Sequence, residues 1–212
     1  MKWRWVKAPA LVKWFMPRQL VWDMPQAVQP TIYLTFDDGP HPEITKFVLD
    51  ALQQYNAKAT FFCIGKNVVN HFDTYKSILA AGHTTGNHTY NHLNGLKTEN
   101  DKYYRNIDDA GGVIRSTLFR PPYGMITPTQ VRHLTKGKRP WKIVMWDIIS
   151  YDFDSSITPE QCTQNVLRLL HPGSIVVFHD SEKAWDRMKI ALPKVLEYCK
   201  QQGWALQSIQ QS

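Results

Sequence analysis

Asp37-Asp38 closes the apolar run Ile32-Tyr33-Leu34-Thr35-Phe36 and precedes the break Gly39-Pro40. An apolar run stopped by a breaker reads as a buried strand entering a loop. Two carboxylates at the mouth of such a strand are costly unless cations or hydrogen-bond donors hold them. Alone, Asp-Asp-Gly is more often a turn than a site. A second cluster changes the balance: His88-Thr89-Tyr90-Asn91-His92. At i and i+4 the two imidazoles share a face if the segment is helical, close enough to grip one metal ion. A zinc protease with this spacing carries Glu directly after the first His as general base, and Thr89 stands there instead. The Asp pair can supply both missing parts, one carboxylate as third ligand and the other as base. Two His and one Asp, with positions left for water and substrate, make a hydrolytic metal site.

The elements that must position these residues alternate along the chain. Apolar strand candidates are 31–36, 58–64, 117–120, 142–147, 174–179 and 204–209. Between them Ile44, Phe47, Val48, Ala51, Leu52 and Tyr55 trace one helical face. Thr158-Pro159 is an N-cap and N1 pair for a helix that Pro172-Gly173 must stop. Leu192, Val195, Leu196 and Cys199 mark a last helix ending by Gly203. Strand–helix alternation within one domain predicts a parallel sheet or a β/α barrel, with its working face at the C-terminal strand ends. Asp37-Asp38, Arg120, Asp147 and His179-Asp180 all fall at such ends, beside the His88/His92 pair.

At 212 residues, 43% hydrophobic and 20% charged, one globular domain is expected. The formal charge of +7 is uneven, because Lys2, Arg4, Lys7, Lys13 and Arg18 precede the first acid, Asp23. The rest is nearly balanced, which argues against a nucleic-acid groove. Cys63, Cys162 and Cys199 lack any CxxC spacing; Cys63 and Cys199 read as core thiols, and the pattern leans toward a reducing compartment. Residues 1–22 carry Trp3, Trp5, Trp14 and Trp22 among the basic residues. Lys7, Pro9 and Lys13 interrupt every apolar stretch, so the segment is neither a secretory signal nor a span. It suits either a membrane interface or packing of its aromatics across the bottom of the domain.

The ordered set Thr35-Phe36-Asp37-Asp38-Gly39-Pro40, Gly86-Asn87-His88-Thr89-Tyr90-Asn91-His92, Arg120-Pro121-Pro122-Tyr123-Gly124, Trp146-Asp147 with Ser150-Tyr151, and Ser174 to Asp180 resembles the polysaccharide deacetylase family, the nodulation-type deacetylase homology domain of carbohydrate esterases. The likeness covers about residues 30–209. It implies an α/β fold, a distorted and incomplete (β/α) barrel of about seven strands, with residues 1–29 as an N-terminal segment and 30–212 as the catalytic domain. The resemblance gives Asp38, His88 and His92 to a divalent metal, zinc or cobalt. Asp37 would be the general base, and the backbone N–H of Tyr123 would join the metal in stabilising the oxyanion. His179 would be the general acid with Asp147 as its carboxylate partner, and Arg120 would hold Asp37. The family's fourth motif runs Asp-x-x-Asp-Trp. Set against Asp147-Ile148-Ile149-Ser150-Tyr151, it loses its second acid and exchanges Trp for Tyr. Tyr151, Val177 and Pro121 would then wall the acyl pocket. His41 and His83 read as structural, and Asp152, Asp154 and Asp180 receive no role.

The resemblance implies metal-dependent removal of an N-acetyl group from an amino sugar in a glycan or oligosaccharide. Two alternatives stand beside it: action on a polyprenyl-phosphate-linked sugar at the inner membrane face, and a glycan-binding protein without catalysis. The expected state is a cytoplasmic monomer, with peripheral membrane contact through residues 1–22 left open.

Overall fold

The computed structural model describes residues 5–24, 28–137 and 139–211. The expectations attached to Lys2, Trp3 and Arg4 lie outside them. Nine strands are present among the described residues: β1 (Leu20–Val21), β2 (Thr31–Asp37), β3 (Thr60–Cys63), β4 (Thr84–Asn87), β5 (Leu118–Phe119), β6 (Lys142–Val144), β7 (Ile148–Ile149), β8 (Ile175–His179) and β9 (Ala205–Leu206). Eight of them form a curled parallel sheet in the order β1-β6-β5-β4-β3-β2-β8-β7, an incomplete barrel, and β9 pairs with the start of β2. The eight α-helices among the described residues are α1 (Ala10–Phe15), α2 (Pro42–Gln54), α3 (Gly65–Asn70), α4 (Phe72–Ala80), α5 (Asn100–Val113), α6 (Pro128–Lys136), α7 (Pro159–Leu167) and α8 (Trp185–Gln201).

Strand alternation sorts the side chains into two layers. On β2, Ile32, Leu34 and Phe36 face the outer helices and join the main core with Phe61, Phe178 and the apolar faces of α2 and α8. Phe36 stacks on Phe61 at 5.1 Å and on Phe178 at 6.2 Å, tying three adjacent strands. The opposite parity turns Thr35 and Asp37 into the barrel. In register with them on β8 are Val177 and His179. Phe62, Leu118, Val144 and Ile175 form a separate interior cluster. Pattern and register therefore deliver the first carboxylate and the last histidine side by side.

Three of the helices begin at side-chain caps. Thr158 and Thr127 each cap a helix with Pro at its start and a reciprocal glutamine bond, Gln161 for α7 and Gln130 for α6. His41 accepts from Ile44 N at the start of α2, and buried His83 accepts from Ala59 N, which fits their structural reading. All three cysteines are buried and free.

The N-terminal segment differs from its expected packing. Only its last residues reach the N-terminal end of β8, where Asp23 bridges Ser174. Lys7 bridges Ile148 on the free edge of β7, while β1 pairs with β6 at the other end of the sheet. Residues 6–21 thus form a strap across the gap that the eight strands leave open. The strap's α1 exposes Leu11, Trp14 and Phe15 to solvent.

Candidate active site

Arg120, fully buried at the end of β5, organises the centre. Its Nη1 donates to Asp37 Oδ1 and Thr35 Oγ1, both at 2.7 Å, its Nη2 to Met145 O at 2.8 Å, and its Nε to Val144 O at 3.2 Å. The guanidinium lies over the Phe62 ring, 4.1 Å from its centroid. A rigid fork of donors bound this way fixes the Asp37 carboxylate and satisfies the buried cation at once. The expected Arg120–Asp37 pair is present.

Asp38, His88 and His92 bring one ligand atom each to within 4.8 Å of the others. His88 Nδ1 lies 2.8 Å from Arg120 O. A carbonyl only accepts, so Nδ1 carries the proton and Nε2 presents its lone pair inward. Burial pulls the His88 pKa down to about 4, keeping the ring neutral. The Asp38 carboxyl, although burial opposes its charge, is held far below the usual range by His92 and by the charges of His179 and His88. Asp38 Oδ1 is buried without a hydrogen-bond partner, 3.2 Å from His92 Nε2 and 3.7 Å from His88 Nε2. An orphaned carboxylate oxygen facing two imidazole nitrogens is a donor set that fits a divalent cation.

The His-x3-His segment is not helical. Thr89 and His92 have φ of 64° and 56°, and the chain loops over the end of β4. Asn87 fixes this loop, receiving Thr89 N and donating to Ile107 O, and Thr89 Oγ1 accepts from Leu93 N. The imidazoles converge because of a backbone turn, where helical pitch was expected. Asp38, Tyr123 and Tyr151 also have positive φ, at 79°, 61° and 60°. Among the described residues, five of the six such non-glycine positions thus surround one site, where strain can be retained because neighbours over-determine it.

His179 lies opposite. Its Nδ1 is 2.7 Å from Asp152 Oδ1, and its backbone N donates to Asp152 Oδ2 at 2.7 Å. Burial works against the imidazolium, but the Asp152 carboxylate outweighs it, with Asp38 and Asp37 adding to the effect, and the pKa rises to about 9. His179 is therefore cationic at neutral pH, as a general acid must be.

The expected partner, Asp147, is corrected by this geometry. It makes no contact with His179. Its buried carboxylate instead receives Lys13 Nζ at 2.9 Å and Ser174 Oγ at 3.2 Å, and lies 3.0 Å from His171 Nε2. Burial opposes the Lys13 charge, but Asp23 and Asp147 raise its pKa overall. Asp147 also accepts Ala8 N on its carbonyl, so it anchors the strap. Trp146 lines the cavity while the next residue faces the seam, and the turn at Tyr151 brings Asp152 back to β8. The signal was in the sequence: started two residues later, Ile149-Ser150-Tyr151-Asp152-Phe153 matches Asp-x-x-Asp-Trp at its final acid and aromatic. Phe153 meets His179 edge-on at 5.1 Å.

One further residue, Asp180, and a side-chain role for Tyr123 escaped the sequence reading. Buried Asp180 accepts from Gly39 N and from Thr45 Oγ1, bracing the Asp37–Pro40 loop. A Cβ on Gly39 would strike that carboxylate, so glycine is required there. Burial raises the Asp180 pKa to about 7. Tyr123 stands over His92, its Oη 3.2 Å from His92 Nδ1, and orients this ligand from outside.

Asp37, Asp38, His88, His92, Tyr123 and His179 open into a cavity of about 720 Å³. Tyr151, Val177 and Pro121, the expected pocket residues, line it. So do Trp5, Ala8, Pro9, Val12 and Trp22 of the N-terminal chain.

A sequence model of the family described as Polysaccharide deacetylase matches residues 25–137. Two peptidoglycan-N-acetylglucosamine deacetylases of Bacillus cereus are each 34% identical to the chain. One alignment covers 81% of this chain and 64% of the relative, the other 87% and 88%. The chain thus spans about two thirds of the first relative's length. A chitooligosaccharide deacetylase of a Bradyrhizobium species is 34% identical over 71% of this chain and 70% of its own. Among solved structures, the Bc1960 peptidoglycan N-acetylglucosamine deacetylase, in complex with 4-naphthalen-1-yl-N-oxidanyl-benzamide, superposes with a TM-score of 0.84. It is 31% identical and covers 90% of this chain and 91% of its own.

Proposed function

The chain belongs to the polysaccharide deacetylase family, and from that premise and the geometry of the site we propose that it hydrolyses the N-acetyl amide of an amino sugar within a glycan or oligosaccharide. The observation that carries this reading is the convergence of Asp38 Oδ1 with two imidazole nitrogens, beside a separately fixed carboxylate and a cationic histidine. Relatives named for peptidoglycan and chitooligosaccharide deacetylation support the substrate class.

Asp38, His88 and His92 would hold the divalent ion, zinc by its preference for nitrogen and oxygen donors at four-coordinate sites. When bound, it supplies Lewis acidity at the amide carbonyl and acidifies water. Asp37 takes a proton from the attacking water through the oxygen that Arg120 leaves free for the cavity. The backbone N–H of Tyr123 donates to the carbonyl oxygen as negative charge develops. His179 passes its proton to the nitrogen as the C–N bond breaks, and Asp152 holds the ring in orientation and charge throughout. Acetate and the free amine leave. Asp37 and His179 are neighbours on β2 and β8, so acid and base flank the scissile amide on adjacent strands.

Acetate release from N-acetylglucosamine oligomers and from peptidoglycan, with zinc or cobalt and after chelation, tests the reading. Turnover should require metal and collapse in Asp37→Asn. Full activity in that variant would sink the assignment of the base. Glycan binding without turnover would favour the non-catalytic alternative.

Membrane contact is a second proposal, supported by the exposed Leu11, Trp14 and Phe15 beside Lys7. It would place the protein at the inner membrane face, within reach of a polyprenyl-phosphate-linked sugar. No helix among the described residues is long and apolar enough to cross a membrane. Flotation with anionic vesicles should weaken on replacing Trp14 and Phe15 by Ala; unchanged flotation ends this proposal.

A further inference from the structure

Two limbs leave the Asp38/His92 corner, and their chemistry differs. One is a cavity of about 430 Å³ lined by His41, Asn67, His71, Glu182 and Lys183, all able to meet hydroxyl groups. The other runs past His179 into the gap bridged by the strap. Val177 and Ile149 are register partners on β8 and β7 and start its apolar wall. Ala8, Pro9 and Val12 of the strap, with Trp22 and Met145, continue that wall. These side chains offer no charge and, beyond indole N–H groups, no hydrogen bond; Tyr151 and Lys183 are the polar members of the same cavity's lining away from the catalytic groups.

An amide at the centre has two sides. The amine side carries a sugar, whose hydroxyls lose water on binding and need polar partners. The acyl side carries only carbon and hydrogen. The polar limb suits the first and the apolar limb suits the second. A two-carbon acetyl would reach Val177 and leave the strap-lined end of the cavity unfilled.

Building on the amide-hydrolase reading above, we propose that the strap-lined limb receives the acyl chain, and that the protein hydrolyses N-acyl amino sugars with acyl groups well beyond acetyl. The balance is that of the shorter substrate: water adds to the carbonyl carbon, the C–N bond breaks, His179 protonates the nitrogen, and a fatty carboxylate leaves with the amino sugar. The expected gain is about fourfold in kcat/KM for each methylene buried.

The test uses the full chain with zinc and one β-1,4-linked glucosamine trimer bearing N-acetyl, N-butyryl, N-hexanoyl or N-octanoyl groups. The kcat/KM should climb from acetyl to hexanoyl. Val12→Trp, which narrows the limb from a half-buried position of the strap, should cut the hexanoyl-to-acetyl ratio about tenfold. Acetyl release with a tenfold fall at hexanoyl in the wild type would overturn the proposal and leave the deacetylase reading standing. Absence of hydrolysis for every trimer would remove both. Two other outcomes also overturn it by assigning the limb elsewhere. One is a gain for an octyl glycoside of N-acetylglucosamine without a gain for N-hexanoyl. The other is a Val12→Trp defect confined to longer N-acetyl oligomers.

Discussion

The middle of the sheet and its seam are held by different means. Between β2 and β8 each chemical group is fixed by a buried neighbour: Asp37 by Arg120, His179 by Asp152, and the connecting loop by Asp180. At the seam between β6 and β7 the wall is borrowed from chain ahead of β2 and fastened largely around the Asp147 carboxylate. Asp147 and Asp152 stand five residues apart and are both buried, yet one secures a wall and the other tunes an acid. The contrast separates reaction chemistry, built on paired strands, from the shape of the cavity, built on a strap. Substitutions at the two places should therefore fail in different ways.

The largest effect is expected from Asp38→Asn. Partners one shell out from a metal cost about 10–100-fold in affinity when removed, and a direct ligand should cost more. Metal analysis after gel filtration should find the ion lost together with acetate release. Asp37→Asn should retain metal and still lose about 10²–10⁴-fold in kcat, the range for a general base. Retained metal with lost turnover separates the two adjacent carboxylates.

Asp152→Asn comes next, at about 10²-fold in kcat. With Asp152 in place, His179 is raised from 6.5 to about 9, so its acid form persists through neutral pH and activity should fall as pH rises through about 9. In Asp152→Asn that alkaline limb should move to lower pH. The same pair stabilises the fold fully below about pH 6.5 and loses its contribution as pH climbs through about 9. Thermal melts of wild type and variant should therefore converge at high pH.

Asp147→Asn should do least to the chemistry, with kcat on an acetylated trimer within about tenfold of wild type and no shift of the alkaline limb. Its cost falls on stability, about 1–3 kcal/mol for unpairing buried polar groups, read as a lower Tm and faster proteolysis of the strap. A shifted alkaline limb in Asp147→Asn would erase the distinction between the two aspartates.

Much of this was legible in the sequence because alternation and breakers are local signals. The runs that became β2, β3 and β8, the helix faces and the capped start of α7 all announced themselves. The metal trio was legible from residue type alone, although the reason offered for its convergence was wrong: a helical pitch was expected, and the turn at Thr89 supplies it. Three strands were not legible. Thr84-Thr85-Gly86-Asn87 is too polar to read as β4, and the two-residue β1 and β7 exist only through partners far away in the chain. Asp152 was missed because motif register was set by the first acid after Trp146. The φ of 60° at Tyr151 carries no sequence mark, and it is the turn that makes the later acid the one that matters. The strap's seat on the β7 edge is likewise a tertiary fact.

That seat has a consequence for the order of assembly. Lys7 and Leu20–Val21 find their strand partners only in residues 143–148, so the strap must wait for a segment more than 120 residues later before it can dock. Contacts of such long sequence separation form slowly and reward the chain only after a large loop has closed. The metal trio, the base and Arg120 are complete by residue 120. A chain emerging from the ribosome would thus carry its ligands and base before it has the wall beside them, and closing the gap belongs among the last events of folding.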